Sequence, residues 1–261
     1  SDYRPHGRYQ LSSFSDLEVV NEAGEYTNGV LGDGQKESIT AKRKGRILEL
    51  TPEVLVNDDI GFLFDVAATL GIAAGRTIEK DVYALFALNS GAGPTLSDGQ
   101  PLFYASRASG TNIDATSAAP TVASMDAAAQ ILRNQKDIAG NDYLDLEPAI
   151  WLGPVSKAGA ARTVVNSEYD PDTSNKLQRF NVARNLVRDV VSSPRLSGNR
   201  WYMFADPNLA PVFEVAFLNG VREPQIRQDE NFRSEGLSWR VTHKYGAAAV
   251  SGIGAVTNAG A

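Results

Sequence analysis

The alternation of apolar and polar residues is most regular in "LSWRVTHKYG", residues 237–246. Leu237, Trp239, Val241, His243 and Tyr245 take every second place, with Ser238, Arg240, Thr242, Lys244 and Gly246 between them. A period of two over ten residues predicts a strand with one buried and one open face. His243 then reads as a strand side chain of the inner set. A strand pair turning around Ser234-Glu235-Gly236 is expected over 221–253.

The period changes to three and four over 58–88, "DDIGFLFDVAATLGIAAGRTIEKDVYALFAL". Ile60, Leu63, Ala67, Leu70, Ala74, Ile78, Val82 and Leu85 recur at helical spacing. Asp58 or Asp59 can cap the start, and Asn89-Ser90-Gly91-Ala92-Gly93-Pro94 stops it. At 1.5 Å per residue this is a rod of roughly 45 Å. Its internal glycines, Gly61, Gly71 and Gly75, suggest close packing against neighbours.

Elsewhere the pattern is weaker. Residues 1–24 are polar with isolated aromatics and read as an extended arm, unable alone to offset the entropy of ordering. Residues 25–50 hold two strand-like runs flanking Gly32-Asp33-Gly34-Gln35, a long polar hairpin that needs outside support. Residues 95–123 read as loop, and a second helix is expected over 124–137 with Ser124 as a cap. "PAIWLGP" predicts a strand and "PVSKAGAARTVVN" a short helix. "NLVRDVVSSPRL", "RWYMFADP" and "PVFEVAFL" predict further strands. No internal repeat is visible.

Composition narrows the class. With 43% hydrophobic residues in 261, the chain can bury a sizeable core. A net charge of −6 and a pI near 5.1 give no general footprint for nucleic acid. There are no cysteines, hence no disulfide, thiolate nucleophile or sulfur-based zinc site. No apolar run reaches the ~18 residues of a membrane span, and no signal-peptide pattern opens the sequence. Ser1 in first place fits Met removal, a trimmed chain or proteolytic maturation alike.

Reaction chemistry is hard to find. Neither a G-x-S-x-G elbow nor a phosphate-binding G-x-x-x-x-G-K-[ST] is present. "GIGAVT" (252–257) half-matches a dinucleotide loop but no helix follows it. "DPDTSNKLQRFN" starts like a calcium loop, yet lacks the central glycine and has Asn181 where a bidentate Glu belongs. His6 and His243 make no readable metal pair. A triad using His243 stays open, because triads assemble in space. The basic run "KRKGR" (42–46) is either a solvated face or an intersubunit or lumen-facing contact.

Five segments taken in order resemble one family. They are "DDIGFLFDVAATLGIAAGRTIEKDVYALF", "LSDGQPLF", "SMDAAAQILRNQKD", "WYMFADPNLAPVFEVAFL" and "LSWRVTHKYGAAAVSG". Together they are similar to the major head subunits of Mu-like tailed phages and prophages, from about Leu48 to Gly252. The resemblance implies an α+β chain with the Hong Kong 97-type capsid fold. That fold has an N-terminal arm (1–24), an extended hairpin loop (25–50), a peripheral domain with a long spine helix (51–100 and 219–261) and an axial domain (101–218). His243 would be structural.

The implied function is that of a major capsid protein. It would assemble through pentamers and hexamers into an icosahedral virion head, formed in the bacterial host cytoplasm, that encloses double-stranded DNA without sequence-specific binding. The implied partners are other copies of the chain, a portal protein, and scaffold, prohead protease and decoration proteins, with no membrane. No catalytic, cofactor or metal site is expected, and trimming by a prohead protease would account for Ser1. The expected intersubunit contacts are Tyr26, Gly32, Asp33, Gly34, Lys36, Lys42, Arg43, Lys44 and Arg46. Lysine-to-asparagine crosslinking, known in some shells of this fold, is not expected. Lys36, Lys42 and Lys44 lie in the right loop, but no acceptor motif can be located. The alternatives are an encapsulin-type compartment shell and a soluble α/β hydrolase using His243.

Overall fold

The computed structural model describes residues 2–10, 24, 34–51, 53, 57, 62–171, 179–230 and 236–261. They fall into two compact units. One draws on Ser1–Gly7, Ser38–Ala84 and Glu214–Ala248, the other on Arg8–Glu37, Leu85–Phe213 and Ala249–Ala261.

In the first unit, β3 (Lys42–Leu50) pairs antiparallel with β10 (Leu237–Ala249), which also pairs with β8 (Phe213–Phe217) and β9 (Gln225–Glu230). The β9–β10 pair is the one expected around residues 234–236, although the turn itself lies outside the described residues. Alternation along β10 holds as predicted. Trp239, Val241, His243 and Tyr245 are buried, while Arg240 is exposed. Gly45 lets β3 approach this strand, since a Cβ there would meet the Val241 carbonyl at 2.6 Å.

The long helix is α1 (Phe62–Gly91). Its geometry breaks at Leu88 (ψ 152°), Asn89 (φ 50°) and Ser90 (φ 57°), where the sequence placed its stop signal. Asn89 secures that exit through Nδ2, which donates to the Gly93 carbonyl at 2.7 Å. The expected caps Asp58 and Asp59 lie outside the described residues, as does Gly61. Close packing at the glycines is corrected: a Cβ at Gly71 or Gly75 would meet nothing within 4 Å. These glycines weaken the helix without allowing any close approach among the described residues.

Of the expected hairpin the first run lies outside the described residues, and the second run holds two strands, β2 (Gln35–Ile39) and β3. β2 pairs with β1 (His6–Gln10), inside the expected arm, and β3 pairs with β10. Each of these strands thus pairs with a segment from elsewhere in the sequence.

The second unit is built on a mixed five-stranded sheet in the order β4 (Ile113–Asp114), β11 (Ala255–Asn258), β7 (Trp201–Ala205), β5 (Pro148–Gly153), β6 (Asp189–Ser192). Along β7, Trp201, Met203 and Ala205 join the core formed with α2 (Val122–Arg133) and α3 (Val155–Asn166). Tyr202 and Phe204 point the other way, into an aromatic group with Phe86, Phe103 and Phe213. Burial there pushes the Tyr202 phenol up to about 12. The cap of α2 is Thr121 rather than Ser124. Ser124 instead completes a capping box as the residue three places on. Asn181, in the stretch that started like a calcium loop, is buried and donates to the Val164 and Ser167 carbonyls at the end of α3.

Leu85 to Gln100 and Ala249 to Ala261 fall in the compact unit that holds the five-stranded sheet. The reason is β11, which fills the sheet between β4 and β7. Buried amides hold it in place. Asn258 Nδ2 donates to Asp114 and to the Thr116 carbonyl, both at 2.6 Å, and its Oδ1 accepts from Ala118 and Gly260. Gln135 accepts from Gly254 and donates to the Ala255 carbonyl.

Asn258→Ala strands several of these buried groups and is expected to destabilise the second unit by about 3 kcal/mol. Denaturant titration of the full chain checks it. A loss under about 1 kcal/mol would show that the amide network is not what holds β11.

Candidate intersubunit surface

The basic run of the sequence becomes β3, and strand geometry divides it between two faces. Lys42, Lys44 and Arg46 lie opposite Tyr245, His243 and Val241, on the face of the buried residues of β10. Arg43 and Gly45 lie opposite Lys244 and Thr242, on the open face.

On the inner face, Lys44 Nζ contacts Asp81 Oδ2 of α1 at 2.5 Å, and the Tyr245 hydroxyl donates to the same oxygen. The Lys44 ammonium also lies 5.4 Å from the centre of the Tyr245 ring. Burial opposes the charge on Asp81, but the bonds from Lys44 and Tyr245 outweigh it and hold the carboxyl below its ordinary value. Burial, then the bond and charge of Asp81, push the Tyr245 phenol up. One carboxylate thus joins helix α1 to strands β3 and β10.

His243 sits beside this group. It is 6% exposed and stacks on Phe217 with ring centres 5.6 Å apart. Its Nε2 lies 3.1 Å from the Arg222 carbonyl, to which it donates when the proton is on that nitrogen. These neighbours hold the ring as a packing element. His6 is instead paired with Asp2 at 3.2 Å. Among the described residues no three His, Cys, Asp or Glu side chains are grouped to hold a metal.

The open face carries residues that the sequence left scattered. β9 places Arg227 directly opposite Arg240, as β3 places Arg43 opposite Lys244. The surface around them is concave, enclosing about 770 Å³, and includes Ile47, which is 60% exposed. Only Arg43 of this group was singled out in advance. Arg227 comes from a segment nearly two hundred residues away, and its register became visible only with the strand pairing.

The other expected contacts lie apart. Lys36, in β2, is exposed with its ammonium 5.3 Å from the centre of the Tyr9 ring. Gly34 directly precedes β2 and is exposed. Tyr26, Gly32 and Asp33 lie outside the described residues. Missed by sequence reasoning was Glu37, which is buried and accepts from the backbone N–H and hydroxyl of Ser97 at 2.8 and 2.7 Å. A lone glutamate in a polar strand gave no signal of burial.

A phage capsid protein family model matches residues 35–258. The chain belongs to that family. It is a major capsid protein of the virion head, and its fold is of the Hong Kong 97 type. Among solved structures, a chain of Microbacterium phage Oxtober96 aligns with TM-score 0.63 at 9% identity, covering 100% of this chain and 87% of that one. A chain of Mycobacterium phage Adephagia gives 0.61 at 11% identity, covering 100% and 86%. The capsid of Helicobacter pylori bacteriophage KHP30 gives 0.61 at 11%, covering 98% and 84%. No curated protein sequence matches. At such identities the structures share the fold alone.

Asp81 has a depressed folded-state pKa, so its contribution is full above the unfolded value near 4 and is lost as pH falls through the lower folded value. Asp81→Asn is therefore expected to lower the thermal midpoint at pH 7 and to flatten its decline below pH 4. Parallel melting curves across pH 2–7 for the two proteins check this. Identical acid limbs would remove Asp81 from the account.

Proposed function

We propose that this capsid protein assembles with other copies of itself, through pentamers and hexamers, into a closed icosahedral shell around double-stranded phage DNA. The observation that carries the reading is the family match across residues 35–258. The net charge of −6 supports enclosure of DNA without tight binding. The unit holding α1 and β10 is assigned as the peripheral domain and the five-stranded unit as the axial domain. Arg43 and the strands β2 and β3 are assigned to contacts between subunits. Polar strands that lean on distant partners suit exchange of edges between copies. Lys44 is assigned a contact within its own chain, since Asp81 engages it. The kinship to Mu-like heads rests on the five motifs. A portal at one vertex, a scaffold, a prohead protease and decoration proteins complete the proposed set of partners.

Electron microscopy of the full chain, with mass from light scattering, tests this directly. Closed shells tens of nanometres across are expected, in line with many copies of one heterologous contact closing on themselves. Shells that carry a portal and fill with DNA support the phage head over a compartment. Uniform monomers or dimers at every concentration would overturn self-assembly.

A further inference from the structure

The open face of the β3–β10–β9 sheet holds two like-charged pairs across neighbouring strands, Arg43 with Lys244 and Arg227 with Arg240. Directly opposed like charges destabilise a sheet. Among the described residues none of the four forms an ion pair. Lys244 and Arg240 are four residues apart on β10, which puts the pairs ~13 Å from each other. Ile47 continues the Arg227–Arg240 rung on the β3 side, opposite Arg240, with 60% of its surface open. The chain as a whole is acidic, so this basic face is a local arrangement.

An anionic ligand relieves the repulsion, and Ile47 says which kind. A phosphate backbone offers nothing to an exposed isoleucine. A protein segment that mixes carboxylates with apolar side chains answers both the charges and the isoleucine. The second unit presents such a segment at 142–145. Asp142 and Asp145 are exposed and form no ion pair among the described residues, while Tyr143 and Leu144 between them are 53% and 38% exposed. The nearby cations are occupied. Arg133 is bidentate to Glu147, and the Lys136 ammonium lies 4.7 Å from the Tyr143 ring centre. The segment is also fixed in shape. Leu144 N–H donates to the Gln135 carbonyl, Asp137 N–H to the Asp142 carbonyl, and Leu146 is buried behind it.

We infer that the basic face of one copy, Arg43, Arg227, Arg240 and Lys244 around Ile47, docks the acidic loop 142–145 of a second copy. The inference rests on the self-assembling reading above. It adds which surfaces meet and what chemistry pairs them. A preformed loop entering a preformed face gives an orientation-specific contact, and its opposite charges set register and encounter rate.

A charge exchange tests it in the full-length protein. Arg227→Glu with Arg240→Glu reverses one pair and takes the four sites from +4 to 0. Asp142→Lys with Asp145→Asn reverses the loop while keeping at 145 a side chain that tolerates its positive φ of 46°. Each pair alone is expected to raise the concentration needed for shells by about tenfold or more at 0.1 M salt. Combined in one chain, the four changes are expected to restore assembly to within about threefold of wild type. The penalty of each pair is expected to shrink at 1 M salt, where the Debye length falls to ~3 Å. Thermal midpoints of the unassembled proteins report whether each variant folds. If the variant with Arg227→Glu and Arg240→Glu melts early, Arg43→Gln, at an exposed site, takes its place with the same expected direction.

Wild-type shells serve as the control. Without them the shell reading fails and takes this inference with it. Where wild type assembles, normal assembly by either reversed pair overturns the docking, and so does failure of the combined protein to recover. Normal shells that package less DNA overturn it in favour of a phosphate-binding face.

Discussion

The register of β10 is the constraint on which the first unit depends. Side chains alternate along a strand, so a slip of one residue would exchange its two faces completely. In the observed register Trp239, Val241, His243 and Tyr245 go to the buried side, and Arg240, Thr242 and Lys244 to the open one. The same register decides the fate of β3. It brings Lys44 beside Tyr245 and within reach of Asp81, and sends Arg43 outward beside Lys244. One pairing choice thus creates both an internal charge group and an external one from the same run of five residues. A solvent-exposed ion pair contributes little. Here the carboxylate accepts two bonds at a half-buried site and joins three elements, so its value lies as much in fixing register as in energy.

The second unit depends on a different device. β11 runs parallel to β4 and antiparallel to β7, so no hairpin sets its place. Four apolar or small residues do not specify register strongly. Asn258 and Gln135 supply what the apolar pattern lacks, because their hydrogen bonds are satisfied in one register only. Asn181 does the same for the exit of α3. Buried amides at Asn112, Gln135 and Asn258 each join segments more than a hundred residues apart in sequence.

That division explains what could be read from the residues alone. Local periodicity carried the long helix, the short helices, β5, β7 and the alternation of β10. Its stop at Asn89 was legible because turn chemistry is local. The partners of β1, β2 and β11 were not, since pairing between strands that no short turn connects leaves no local trace. Glu37 and Asn258 look like ordinary polar residues until their partners, Ser97 and Asp114, are placed beside them. The basic face was half legible. The run 42–46 stands out by its charge, but only the strand pairing shows that Arg43 belongs with Arg227, Arg240 and Lys244 while Lys44 does not.

The contrast between Lys44 and Arg43 bears on what this surface is for. They are adjacent in sequence, yet one is neutralised by a carboxylate of its own chain and the other faces a second cation. A fold under pressure for monomer stability alone would gain by placing an acidic residue opposite Arg43 or Arg240, as cross-strand pairs of opposite charge stabilise sheets. Both opposing positions are instead basic. Glu49 and Asp229 show that acidic residues are accepted on the same face, farther along and opposite Ser238. The cations are therefore concentrated where they repel one another. Such repulsion is tolerable in a separate subunit because water screens exposed charge. It becomes an advantage when contact with an acidic surface removes it, since the free energy gained then appears on assembly and not on folding. For a protein that must fold first and close into a shell afterwards, that separation keeps the two steps in order.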